Sequence, residues 1–494
     1  MSAMVREGRL FEAGGAGVSA ETPLRPAGEE KVFRPYDPDQ VLLMAPVLSE
    51  WVPEGDLAHF VCDLVEQGEL DLSAIYASYE SERGFPPYDP RLMLKLLIYG
   101  YATGTPSSRK LEQATYRDVA VRMLCADQHP DFRSIARFRV RHLEALAGLF
   151  VQALRLCKEA GLVKLGTLAL DGTKLRANAS RHKAMSYERM VRAEQELAAE
   201  IEAMRQTAVE LLKRAEQTDQ AEDERYGPEV RGDELPEELA RRESRLARIR
   251  EAKAALEAQE AERERARHAV AEAEGRKLRK PHPDDEPPAP KPTAQRNFTD
   301  PESKIMKTSD GSFHQCFNGQ AVVDSEAQVI VAAGASNQAP DCPQLKGALD
   351  RLAENLQAAG LELSEDAALT ADAGYFSADN VRVAEDHGLD PFIATGRQKH
   401  TDPPPLAACG PIPKDATPKQ RMARKNRTKK GQTTYAKRKV IVEPVFGQMQ
   451  TVQGAKQLLL RGLDAADAQW LFNCAIHNLL KLHRAGGLVA ARAG

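Results

Sequence analysis

Nowhere do the 494 residues hold an uninterrupted apolar run of about 18 side chains, so no membrane-spanning helix is expected. The opening MSAMVREGRLFEAGG lacks the apolar core of a signal peptide. The seven cysteines (Cys62, Cys125, Cys157, Cys316, Cys342, Cys409 and Cys474) are scattered without a C-x-x-C pair. That argues against a zinc module or a disulfide framework and suits a reducing, cytoplasmic compartment. His129, His182, His314 and His477 show no metal-ligand spacing and read as ordinary polar or core residues. No charge of one sign dominates: 68 Lys and Arg face 72 Asp and Glu, a net charge of −4 that can still average over local patches.

What is present suffices for several cores. The length predicts two to four domains, and 42% hydrophobic with 28% charged residues is ordinary for a soluble protein. Residues 1–32 read as a loose Gly/Ala/Pro tail. Across 33–162 apolar residues recur at three-to-four spacing, as in LMLKLLIYGYA, SSRKLEQATYRDVAVRML and DFRSIARFRVRHLEALAGLFVQALRLCKEAG, which predicts an all-α domain. Asp89-Pro90 and Asp131 read as helix starts and Gly161 as a stop.

At LGTLALDG the pattern changes to a short apolar run of strand length. From 185 to 277 Met190, Leu197, Ile201, Met204, Ala208 and Leu211, then Leu239, Leu246, Ile249 and Leu256, keep a heptad-like beat among Glu, Arg and Ala. A break at YGPEVRGDELP makes this an antiparallel helical hairpin inserted into the surrounding domain. A Pro-rich linker, 278–295, follows. The domain itself, 163–184 with 296–484, then reads β-β-β-α-β-α-β-(basic loop)-α, with 485–494 a tail. That is the element order of an RNase H-like (retroviral-integrase-like) α/β layer.

Three acids fall at related places in this order. Asp171 ends the first strand, Asp372 the fourth, and Glu443 lies at the start of, or within, the helix after the basic stretch. Each has a plain alternative: Asp171-Gly172 is a hairpin-turn pair, Asp372 precedes the turn-forming Ala-Gly, and Glu443 is an acid favoured near a helix N-terminus. TLAL ahead of Asp171 does not alternate, as a strand buried on both faces would not. In such a sheet the first and fourth strands are neighbours, so the acids converge and repel unless a cation joins them. Hard carboxylate oxygens select Mg²⁺ or Mn²⁺, and two such ions serve phosphodiester displacement.

The blocks GFPPYDPRLMLKLLIYGYATGTPSSRKLEQATYRDVAVRMLCADQHPDFRSIARFR, LALDGTKLRANAS, NFTDPESKIMK, FNGQAVVDSE, LTADAGYFS and VEPVFGQMQ, in this order, resemble the bacterial insertion-sequence transposases of the DDE type. The branch resembled has an all-α N-terminal domain ahead of an RNase H-like catalytic domain, and the likeness spans about Phe33 to Arg484. It implies a catalytic and metal-binding triad of Asp171, Asp372 and Glu443. Relatives carry Tyr, Arg and Lys around the third acid. Here Tyr435 and Arg438 precede Glu443 with a gap one residue longer, Lys439 fits the shorter gap, and the nearest downstream lysine is Lys456. It further implies Mg²⁺-dependent cleavage at element ends and 3′-OH transfer into target DNA by a homodimeric, nucleoid-associated protein. An RNase H-like nuclease without strand transfer, and an inactive protein that only occupies element ends, are the alternatives.

Two regions carry a phosphate-binding composition. Lys425, Arg427, Lys429 and Lys430, with Lys419, Arg421, Arg424 and Lys437, crowd ahead of Glu443 beside Tyr435, Arg438 and Lys439. The stretch ending CADQHPD and FRSIARFRVRH resembles a helix-turn-helix, with Arg133, Ser134, Arg137, Arg139 and Arg141 on its second helix. It is expected to read the terminal inverted repeats; a structural helix with a basic face is the other reading. NFTDPESK, with its Asp300-Pro301 turn, is expected in a loop near the site.

Overall fold

The computed structural model describes residues 47–79, 87–180, 183–226, 237–273, 275, 289–396, 413 and 415–488. The expected N-terminal tail, the hairpin loop after residue 226, most of the Pro-rich linker, His182, Cys409 and the last six residues lie outside these.

Among the described residues, eight helices precede the sheet: α1 (Leu48–Trp51), α2 (Leu57–Glu66), α3 (Ser73–Ala77), α4 (Pro90–Ala102), α5 (Ser108–Arg117), α6 (Val119–Leu124), α7 (Phe132–Arg141) and α8 (Leu143–Glu159). Asp56, Asp89, Asp118 and Asp131 each accept a backbone N–H at a helix start, the ordinary work of an N-cap carboxylate. Two of the long helical readings break in the middle. Asp118 takes an extended conformation (φ −102°, ψ 120°) and caps α6, which separates it from α5. His142 (φ −106°, ψ 27°) separates α7 from α8 and packs its ring against Phe138 and Tyr79.

The sheet follows: β1 (Thr167–Arg176), β2 (Ala184–Ser186), then α9 (Tyr187–Tyr226) and α10 (Glu237–Ala273), β3 (Gln295–Asn297), β4 (Lys304–Lys307), β5 (Phe313–Asp324), β6 (Ile330–Ser336), α11 (Gln344–Ala359), β7 (Ala368–Ala371), α12 (Ala378–Asp386) and β8 (Asp390–Ile393). α13 (Pro418–Asn426), α14 (Lys429–Thr451) and α15 (Leu463–Arg484) close the chain. β1, β5 and β6 pair antiparallel, β7 and β8 add in parallel to β1, and the order is β6-β5-β1-β7-β8 with β4 beside the first part of β5. β5 is buried from Gln315 to Asp324, so helices cover both of its faces.

α9 and α10 form the inserted hairpin, and β2 pairs with β3 at its base. Met190, Ile249, Ala252 and Leu256 are buried between the two helices, as are Ile201 and Leu246. Ion pairs Arg205–Glu243, Arg242–Glu200 and Arg250–Glu194 flank this seam. Such exposed pairs set register more than they stabilise.

One hydrophobic core runs from α2 to α15. α8 packs along α15, and Arg155 and Lys158 donate to the last carbonyls of α11 at Ala358, Ala359 and Gly360. The change of pattern near residue 162 is therefore a change of element type, and the packing continues across it. On α15, Asn478 both accepts from and donates to the Ile330 backbone, at 2.9 and 2.8 Å, completing an edge of β6. Trp470 donates to the Gln320 carbonyl at 2.9 Å.

His477, also on α15, has no exposed surface. Its ring donates from Nε2 to the Gln328 carbonyl at 3.0 Å, and Nδ1 is buried without a partner. Burial, opposed by the Gln328 carbonyl and reinforced by Lys481 and Arg484, brings its pKa down to about 4. An unfolded histidine takes up a proton near 6.5, so between these values the unfolded chain binds more protons than the folded one. Stability from this group is complete above the window and falls as pH drops through it, by about 3 kcal/mol. In reversible urea unfolding, His477→Gln is expected to lose about 3 kcal/mol less than wild type between about pH 7 and pH 4. Parallel curves for the two proteins would refute this.

Candidate active site

β1 and β7 pair in parallel from Thr167↔Ala368 to Leu170↔Ala371. The next residue on each strand is an acid, Asp171 and Asp372, so the sheet sets two carboxylates side by side. β1 does not end there. It continues to Arg176 against β5, with Asp171↔Ala321 and Gly172↔Gln320 in register, so Asp171 stands inside a strand and the Asp-Gly pair makes no hairpin turn. Gly172 is needed for close approach instead. A Cβ there would meet Gln320 Nε2 at 2.5 Å and Asp341 Oδ1 at 3.2 Å. Asp372 leaves β7 in an extended conformation and caps the 3-10 turn Ala373–Tyr375, accepting from the Gly374 N–H at 2.7 Å.

The cation facing this pair comes from α14. Arg438 Nη1 lies 2.8 Å from Asp171 Oδ2, with the two side chains 12% and 22% exposed. Burial pushes the Asp171 carboxyl up, Arg438 and the Gly172 N–H pull it down, Asp372 pushes it up again, and the net direction is upward. Burial works against the Arg438 charge, yet Asp171, Tyr435 and Asp372 outweigh it and raise its pKa. Tyr435 lies one turn earlier on the helix, and burial raises its pKa while the Arg438 charge opposes the rise.

Glu443 stands fifteenth in the 23-residue α14, far from either end. The basic stretch ahead of it is not a loop. It folds as α13 and the first half of α14, capped by Thr417 and Thr428. Pro444 is accommodated inside the helix because the carbonyl it cannot serve, Val440, accepts from Gln328 Nε2 at 2.8 Å. Glu443 is exposed, and among the described residues no three His, Cys, Asp or Glu are grouped to hold a metal. The structure thus brings together Asp171 and Asp372, and not Glu443. Glu443 shares a flank of α14 with Gln450, seven residues on, which donates to Thr173 Oγ1 at 2.8 Å on the strand that carries Asp171.

Behind the pair lies a network that sequence reasoning missed. Asp341 Oδ1 accepts from Lys174 Nζ at 3.0 Å, Asn318 Nδ2 at 2.8 Å and Gln320 Nε2 at 3.3 Å. Tyr375 donates to Gln320 Oε1, and burial, then Asp341, Asp171 and Asp372, push its pKa well above the usual tyrosine value. The signal for this network was Asn318 and Gln320, two polar residues in the middle of a buried strand. In NFTDPESK, Asp300 is buried and accepts from the Gly462 N–H at 3.3 Å, a loop-bracing role.

The expected DNA contacts separate into two kinds. On α7, Arg133 and Arg137 are exposed, and Ser134 donates to the Asp131 cap at 2.7 Å. Arg139 is a correction to the DNA-facing set: it is 5% exposed, donates to the Pro106 carbonyl at 2.7 Å and lies over the Tyr101 ring. Arg427, Lys429 and Lys439 are exposed. Lys425 and Lys430 both pair with Asp390 beside the Phe392 ring, which ties α13 and α14 to β8.

Comparison with known families gives two matches. Residues 46–141 match a transposase domain of the DUF772 family, and residues 278–479 match the transposase DDE domain. Asp372 and Glu443 lie inside the second match, whereas Asp171 lies in neither. No curated protein and no solved structure matches the chain. The two matches together span more than half of the chain, and it belongs to the DDE transposases of bacterial insertion-sequence type.

Proposed function

We propose that the chain cuts DNA at the ends of its element and joins the freed 3′-OH to target DNA, using Asp171, Asp372 and Glu443. The observation that carries this reading is the parallel register that sets Asp171 beside Asp372. The β6-β5-β1-β7-β8 order, three antiparallel strands extended by two parallel ones, supports an RNase H-like layer beneath them.

DDE transposase domains use divalent metal ions. The residues fit such a group: two adjacent carboxylates with hard oxygen donors already hold a cation, the Arg438 guanidinium, at Asp171. We assign Asp171, Asp372 and Glu443 as the ligands of Mg²⁺ or Mn²⁺, with room for two ions in the family's chemistry. Bound there, the metal supplies Lewis-acid polarisation of the scissile phosphate and the attacking hydroxyl. The chain's own residues do the positioning. Tyr375, Gln320 and Asp341 fix the two strand segments against each other, and Lys174 offsets part of the negative charge. Exposed Arg133 and Arg137 on α7 are assigned to the terminal inverted repeats, and Arg427, Lys429 and Lys439 to phosphates near the site. Two element ends must meet, so the working unit we propose is a homodimer, acting at the nucleoid.

With Mg²⁺, a labelled duplex carrying the element ends and a target plasmid, wild type is expected to give joined products. Asp171→Asn, Asp372→Asn and Glu443→Gln are each expected to lose joining by roughly a thousandfold or more. Cleavage without joining would show a nuclease, and binding alone would refute a catalytic role.

In DNA-binding titrations against salt, Arg137→Gln or Lys429→Gln is expected to lower the log–log slope by about 0.9. Arg139→Gln is expected to leave the slope unchanged and lower the unfolding midpoint. A slope change for Arg139→Gln would put it back among the DNA contacts.

A further inference from the structure

Arg438 holds Asp171 by a single N–H, at 2.8 Å. A guanidinium kept as a permanent brace fills its donor fork. Here Nε is buried and has no partner. The charge is also unbalanced, because one guanidinium faces two neighbouring carboxylates and both act on it. α14, which carries Arg438, presents exposed Lys429, Lys437 and Lys439 along its first half. That field gathers phosphate where the guanidinium could reach it.

We propose that Arg438 is a built-in counterion that keeps the Asp171–Asp372 pair closed to divalent metal until a DNA phosphate draws its guanidinium away. The proposal rests on the reading of this pair as metal ligands. A divalent cation and a guanidinium bound to the one Asp171 carboxylate repel each other, so each weakens the binding of the other. A phosphate offers two oxygens to the fork, including its unfilled Nε, and so is the better partner once present. DNA and metal then bind with positive coupling, which acts equally in both directions.

The test is calorimetric titration of the full chain, free of DNA, with MnCl₂. R438Q is expected to bind Mn²⁺ about tenfold tighter than wild type or more, and R438K to gain less. The gain should vanish in R438Q/D171N. R438K decides the matter if R438Q does not fold. A short duplex, with the duplex alone as blank, should tighten Mn²⁺ binding by wild type and not by R438Q. Equal Mn²⁺ affinities for wild type and R438Q, both abolished by D171N, would overturn the counterion role and leave the metal reading standing. No tightening of wild type by DNA would overturn the phosphate trigger. Mn²⁺ binding insensitive to D171N in either background would overturn the metal reading and the proposal with it.

Discussion

Two carboxylates held side by side repel, and here main-chain hydrogen bonding leaves them no choice. The parallel ladder of β1 and β7 runs up to Leu170 and Ala371 and delivers Asp171 and Asp372 at its end. Around this forced proximity the site arranges its compensation. Arg438 covers one acid, the Gly374 N–H is offered to the other, and Lys174 lies behind them on Asp341. Burial makes the arrangement consequential, because charge that water cannot screen must be answered by protein groups or by a bound cation.

The rest of the fold serves the placement of α14 over this sheet. Its interior proline would cost a helix hydrogen bond, and Gln328, beside β6, supplies the substitute donor to Val440. Lys425 and Lys430 fasten α13 and α14 to Asp390 on β8. α15 backs the sheet through Trp470 and Asn478 and at the same time packs on α8, so the N-terminal helices and the sheet share one core. The long insertion leaves and re-enters through the small β2–β3 pair, whose register keeps it from disturbing the ladder between β1 and β5.

Several features were legible in sequence because local chemistry decides them. Asp89 and Asp131 cap helices wherever they stand ahead of an amphipathic run, and the heptad beat of Met190, Ile201, Leu246 and Ile249 needs only a second helix to bury it. Others were misread for equally physical reasons. Asp-Gly signals a turn when glycine is wanted for its backbone freedom, whereas Gly172 is wanted because Gln320 and Asp341 come too close for a side chain. The basic stretch reads as a loop by its charge, yet Thr417 and Thr428 caps and the pairing of two lysines with Asp390 make it helical. Arg139 looks like its neighbours on α7 until the helix turns it toward Pro106 and Tyr101.

By itself the sequence determined most of the helices and strands, the hairpin insertion, and the two aspartates that follow buried apolar runs, since each depends on residues near one another in the chain. Only the tertiary structure decided which charges meet. Arg438 finds Asp171 across 267 positions, and Asp341, between β6 and α11, gathers Lys174 from β1 and Asn318 and Gln320 from β5. Spacing along the chain carries no record of such contacts, because they are set by strand register and by the rotation of α14 about its own axis. That rotation turns Arg438 to the pair and leaves Glu443 on the flank beside it.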